Sequence, residues 1–431
     1  MRLRDLVVRS AVRRTALWML LLVLGAAGPV AAQQYMLVPM DLTQTNHLKA
    51  YGFTYKLLTN GQQVEWLLNY RGGSFLTRYQ KDAELDARVR DVSFQVIGAP
   101  AVAEIKAEIE RENMEVVVLE KAPRLCVYTP PNKQPWDDAV TLAMTYAEIP
   151  FEKVYDREVL TGKLAEYDWL HLHHEDFTGQ YGKFYGSYRF AAWYQQDVEV
   201  NEALARELGF SKVSEEKKAV ARAIHEYVAN GGFLFAMCSA TDTIDIALAS
   251  EAVDIVAPEY DHDGQTPNAQ QMLQYGPCFA FQNFRLELNP LVYEFSNIDT
   301  SDYAKLRGAE ADYFTLFSFA AKHDPVPAML TQCHVNVING FLGQTTGFKK
   351  GLVKDSVLIL GQVDGSDEVK YVHGNVGRGT FTFYGGHDPE DYQHAVGDPA
   401  TRLELHVNSP GYRLILNNVL FPAARKKEQK T

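Results

Sequence analysis

The chain has 431 residues, 46% hydrophobic and 22% charged, with a formal net charge of −12. That is an ordinary globular balance, with length for two or three modules. The acidic excess argues against nucleic acid and anionic membrane surface as partners, because both recruit positive surface.

Residues 1–32 differ from the rest. Arg2, Arg4, Arg9, Arg13 and Arg14 form a basic head, the run ALWMLLLVLGAA follows, and Val30-Ala31-Ala32 offers small residues for cleavage before Gln33. The pattern predicts a signal peptide and hence a periplasmic or secreted protein. The apolar run is shorter than the ~20 residues of a spanning helix, so no membrane span is expected. In an oxidising compartment Cys126, Cys238, Cys278 and Cys333 allow two disulfides, in three connectivities.

Apolar spacing after the leader predicts a strand at 36–40, a helix at 46–58 closed by Asn60-Gly61, and a strand at 64–69. That reads as a β-α-β unit of a parallel sheet. A looser second unit follows, with an extended piece at 94–97, a helix at 101–113 and a strand at 116–119. The pattern restarts at a strand over 125–128, the loop TPPNKQPWDD, a helix at 136–147, a short strand at 151–154 and a helix at 156–165. A strand over 167–174 runs into HHEDFTG and then an aromatic loop, YGKFYGSYRFAAWY. A helix at 215–229 leads into the strand FLFAM. Residues 260–350 are rich in Gln, Asn, Pro and aromatics, which suggests an irregular insertion or lid. Strands return at 356–360, 369–373 and 379–385, a helix is expected at 413–420, and the basic tail ends the chain. The alternation predicts an α/β fold with an open, doubly wound, mainly parallel sheet.

Two segments carry chemistry. Cys238 follows FLFAM and precedes a helix, with Ala236 and Ala240 at minus two and plus two. A tight strand-to-helix turn that projects one side chain needs such small neighbours. The N–H of Ser239 then lies at a helix N-terminus, where it can stabilise an oxyanion. The same segment also suits a thiol that merely packs. The strand GTFTFYGG delivers His387, followed by Asp388 and Glu390, which supplies a base and two rival orienting acids. The densest polar cluster is HLHHED. His171 and His173 face one side of its strand, and His174, Glu175 and Asp176 fall past its end. A hydrogen-bonded substrate loop or structural network is the reading adopted, with a metal on His173, His174 and Asp176 as the alternative. Tyr181 and Tyr185 of the aromatic loop are candidates to stack a ligand.

With these residues in view, the sequence resembles the class I glutamine amidotransferase-like family, which has a flavodoxin-like α/β fold. The likeness lies in 231–242 as the nucleophile turn and in 385–390 as the histidine–acid region, with RLCVYTPP and YDWLHLHHED as earlier strands and SPGYRLILNNVLFPA as the closing helix. The whole chain also resembles secreted bacterial proteins labelled asparagine synthetase B. That activity is not supported by the residues, because cleavage exposes Gln33 rather than cysteine and no SGGxDS loop is present. The residues themselves mark off a signal peptide at 1–32, an N-terminal α/β unit at 33–121 and a disordered tail at 425–431, while the resemblance makes 122–259 a core, 260–378 an insertion or lid, and 379–424 the closing strand and helix. It implies hydrolysis of an amide through Cys238, with His387 as base and Glu390 or Asp388 behind it. Ser239, His173, His174, Glu175, Asp176, Tyr181 and Tyr185 would meet a small-molecule or glycan ligand, and no cofactor is called for. A non-catalytic small-molecule or carbohydrate binding module on the same fold is the alternative.

Overall fold

The computed structural model describes residues 33–318, 320–324 and 328–425. The expected leader, and all of the expected tail beyond Arg425, lie outside these residues. Two sheets are present among them.

The first sheet contains β1 (Gln34–Val38), β2 (Val64–Leu68), β3 (Ser74–Arg78), β4 (Gln95–Gly98) and β5 (Glu115–Leu119), in the order β4-β1-β3-β2-β5. Every ladder in it is antiparallel, which corrects the β-α-β parallel reading of 33–121. The cause is β3, a strand the apolar pattern did not reveal. It slots between β1 and β2, reached by a sharp reversal in which Asn69, Arg71, Gly72 and Gly73 all adopt positive φ. The helix His47–Thr59 packs against the helices Ala139–Ala147 and Pro410–Leu420. Gly52 permits this approach, since a Cβ there would lie 1.7 Å from the Ala147 carbonyl oxygen.

The second sheet contains β6 (Leu125–Tyr128), β7 (Glu152–Val154), β8 (Trp169–Leu172), β9 (Phe233–Met237), β10 (Tyr313–Leu316), β11 (Val337–Asn339), β12 (Phe348–Lys349), β13 (Leu358–Gln362), β14 (Glu368–Val376) and β15 (Gly379–Tyr384). Its order is β11-β10-β13-β14-β15-β9-β8-β6-β7, with β12 beside β14. The run β15-β9-β8-β6-β7 is parallel. The rest is antiparallel. The molecule is therefore mixed α/β and mainly antiparallel, with a parallel part, rather than a mainly parallel doubly wound sheet. Short connections explain the difference. Only Gly377 and Arg378 lie between β14 and β15, and so short a link joins antiparallel strands alone. The region 260–378 is thus not only an insertion or lid, since it supplies β10 to β14.

The parallel strands are apolar on both faces. Val127, Trp169 and Phe235 join one core with Leu414 and Ile415. Their neighbours Cys126, Leu170 and Leu234 join another with Val220, Ile224 and Ile244. Each such side chain contributes about 1.5–3 kcal/mol by leaving water. Helices cover both faces, as the continuous FLFAM run requires. No helix among the described residues is long and apolar enough to cross a membrane.

Candidate metal centre

Strands β8, β9 and β15 are adjacent and parallel, so their carboxyl ends share one edge. His173 and His174 follow β8, Cys238 follows β9, and His387 follows β15 after Gly385 and Gly386. The two glycines are needed: a Cβ on Gly385 would lie 2.5 Å from the Thr346 carbonyl oxygen, and Gly386 sits at φ +94°.

His173, His174 and His387 converge, each bringing one ring nitrogen within 4.8 Å of the other two. Ring centroids are 4.6 Å apart for His173–His387 and 5.0 Å for His173–His174. Nε2 of His173, Nε2 of His387 and Nδ1 of His174 are buried without a hydrogen-bond partner. Burial, then the neighbouring histidines, push the His174 and His387 pKa values well below the ordinary range. These rings are neutral, the form that binds metal.

Behind them stands Asp138, the N-cap of the helix Ala139–Ala147. Its carboxylate lies 3.2 Å from His173 Nδ1 and 3.3 Å from His171 Nε2. Burial alone would raise its pKa, but His171 and His173 hold it well below the carboxylate range. A carboxylate at Nδ1 leaves Nε2 of His173 as the ligand atom, the usual outer-shell device at histidine metal sites. Trp136 Nε1–H donates to His174 Nε2, so the neutral His174 ring carries its proton on Nδ1 and offers a lone pair to a metal only by exchanging that bond. Three histidine nitrogens suit a borderline ion of the zinc class.

The other expected residues are placed differently. Asp176 accepts the N–H groups of Thr178, Gln180 and Gly182, so it shapes its loop, and His387 stands where Asp176 was expected as third ligand. Asp388 accepts from Tyr412 Oη and from Glu390 N–H, and Glu390 meets His406 Nδ1 at 2.8 Å. Neither carboxylate is turned to His387, so the expected orienting acid is not formed. Glu175 accepts the His173 N–H at 2.7 Å, and burial pushes its carboxyl up to about 8.

Cys238 does sit on a strained turn, at φ +49°. It is 3% exposed, and Sγ accepts the Gln344 N–H at 3.3 Å. Burial raises the thiol pKa against the lowering effect of the Thr345, Gln344 and Ser239 N–H groups. No hydrogen bond joins it to His387, whose Nε2 is unpartnered. All four cysteines are free thiols, so neither of the two disulfides that their number allows is formed. Tyr181 is buried, and Tyr185 packs on Tyr260 at 5.7 Å. The aromatic loop is a packed core, with Trp136 stacked on Phe184 at 5.1 Å.

A narrow cleft of about 60 Å³ opens beside His174, lined by Trp136, Glu175, Tyr181, Phe184 and Lys217 among others. A larger cavity of about 880 Å³ lies at the opposite end of the parallel strands, beside Arg124, Phe233 and Arg378. Size does not mark the site here, because the convergent unpartnered groups are all at the carboxyl edge.

Asp137, Asp138 and His394 were not singled out from the sequence. The signals were there: two carboxylates close the loop after β6, and HDPEDYQH spaces two histidines around an acidic run.

No family model matches the chain, and no curated protein matches it. Among the solved structures that match, two are similar as follows. The cytoplasmic protein STM3548 from Salmonella typhimurium is 12% identical at a TM-score of 0.34, with 70% of this chain and 100% of that chain covered. The cytoplasmic protein STM1381 from Salmonella typhimurium LT2 is 12% identical at 0.35, with 70% and 99% covered. Likeness at that level carries no argument about chemistry. Both are described as cytoplasmic, against the periplasmic or secreted location expected from the leader. The residues that carried that expectation, 1–32, lie outside the described ones, and the export reading is withdrawn.

Proposed function

We propose that the protein is a metal-dependent hydrolase of a small, uncharged polar substrate such as an amide. The observation that carries this is the convergence of His173, His174 and His387 with buried, unpartnered nitrogens at the carboxyl edge of parallel strands. His173, His174 and His387 would hold a divalent ion, which would supply a Lewis acid and an acidified water. The residues around it do the rest. Asp138 fixes the His173 ring, His174 would turn from Trp136 to join the ion, and the aromatic wall excludes water. The cleft favours an uncharged substrate. Glu175 and Asp176 line it, while Lys217, its ammonium, is already paired with Asp156 at 2.6 Å.

Natively purified protein is expected to hold zinc, manganese or iron at a stoichiometric level, and His173→Gln or His387→Gln to lose it with the fold intact by circular dichroism. Metal-free native protein that also fails to take up added zinc ends this reading.

A second reading keeps the thiol chemistry that the amidotransferase-like resemblance implies. It is favoured by the positive φ of Cys238 and by the backbone N–H groups directed at its sulfur. On that reading chelators leave turnover unchanged and Cys238→Ser abolishes it.

A further inference from the structure

The polar cluster continues past His387. The His394 ring stacks on it, with centroids 4.7 Å apart and planes 21° apart. Asp137, His387 and His394 each bring a ligand atom within 4.8 Å of the other two, a second set that shares His387 with the first. We infer that the site is built for two divalent cations, the second held by Asp137 and His394 beside His387. This rests on the metal reading above.

Three details of the geometry support it. First, Asp391 Oδ2 accepts a hydrogen bond from His394 Nδ1 at 3.0 Å. That bond puts a proton on Nδ1 and leaves the Nε2 lone pair as a ligand, the arrangement a carboxylate enforces behind a metal-bound histidine. Second, Nε2 lies 2.9 Å from Asp137 Oδ1, yet the two are not aligned for a hydrogen bond, and neither atom has a partner elsewhere. Both Asp137 oxygens are buried without a donor. An unmet carboxylate is costly, so these atoms call for a cation between them, either a metal ion or the His394 proton that Asp137 and Asp391 favour. Third, two ligand atoms that share an ion stand roughly 3 Å apart without pointing at each other, since each is about 2.0–2.2 Å from the ion. The Asp137–His394 pair has that form.

Two ions would supply Lewis acids for the attacking and leaving oxygens, with His387, which has one free lone pair, serving one of them and Asp137 and His394 the second.

The test is ion stoichiometry. Full-length protein is stripped with a chelator, reloaded with Zn²⁺ or Co²⁺, passed through gel filtration and measured by mass spectrometry of the metal. The expected result is two ions per chain in the parent and one in His394→Gln and in Asp137→Asn. Asp391→Asn alters a half-exposed side chain, leaves the fold undisturbed, and is expected to weaken the second ion about 10- to 100-fold. One ion in the parent, or two retained in His394→Gln, overturns the two-ion inference and leaves the single-ion reading standing. No ion in the parent removes both. A doubly protonated His394 in place of the second ion gives the one-ion result.

Discussion

Asp138 Oδ1 lies 3.2 Å from His173 Nδ1 while accepting the backbone N–H groups of Val140 and Thr141 at 2.7 and 2.9 Å. One carboxylate both caps a helix and steers a ligand. Asp138→Asn separates the two roles, because Asn and Asp cap helices about equally well. The variant is expected to keep its Tm within a few degrees and to bind zinc about 10- to 100-fold more weakly. Competition against a chromophoric chelator measures this. Affinity equal to the parent's would remove Asp138 from the metal site.

Lys217 crosses from its helix to Asp156 at 2.6 Å and to the Tyr128 and Tyr155 hydroxyls at 3.1 Å. Asp156 is fully buried and Lys217 is 5% exposed. Lys217→Met strands the Asp156 carboxylate and is expected to cost about 3–5 kcal/mol in urea unfolding. Adding Asp156→Asn should recover part of that loss. A cost of about 0–1 kcal/mol, as for an exposed pair, would mean that water reaches Asp156 through the cleft.

Much of the parallel half was legible in the sequence because FLFAM is a continuous apolar run, which a sheet covered on both faces tolerates. The antiparallel half was not. SFLTR reads as one more short segment, and its place between β1 and β2 depends on pairing partners far along the chain. The site divides the same way. His173, His174 and His387 stood out as residues at strand ends. Strand order sets β9 between β15 and β8, so it does not decide which of them meet; the chain beyond the strand ends does, and it lays the His387 ring on His173. Asp388 and Glu390 looked like partners of His387 because they follow it, but Tyr412 and His406, from the closing segment, claim them.

Lys370 is buried in β14, and its ammonium donates to the Phe341 and Thr346 carbonyls. Burial lowers its pKa from 10.5 to about 7, although Asp312, Asp299 and Glu368 oppose the shift. Between pH 7 and 10.5 the unfolded chain therefore holds a proton that the folded chain has released. Unfolding takes up that proton, so this group makes stability rise with pH across the window, by at most about 1.4 kcal/mol per unit. Below pH 7 both states are protonated and the slope vanishes. The stability of the parent minus that of Lys370→Met should climb from pH 7 to 10. A difference independent of pH would show that the buried amine keeps its proton.

Gln344 joins the thiol to the rest of the edge. Its N–H reaches Cys238 Sγ, and its side-chain amide donates to the Gly182 and Tyr293 carbonyls. The flanking residues are tied down as well, by Lys370 to Phe341 and Thr346 and by the His387 N–H to the Leu342 carbonyl. Cys238 is thus sealed under a loop and its thiol pKa is raised by burial. Only the thiolate attacks an alkylating agent, so iodoacetamide at pH 7 is expected to modify the partly exposed Cys333 before Cys238. Gln344→Ala cuts two of the ties and should speed alkylation of Cys238 without changing bound metal. Peptide mass spectrometry over a time course reads both rates. If Cys238 reacts first in the parent, the loop opens readily and the thiol is activated. The cysteine hydrolase reading then displaces the metal one as the leading account of this edge.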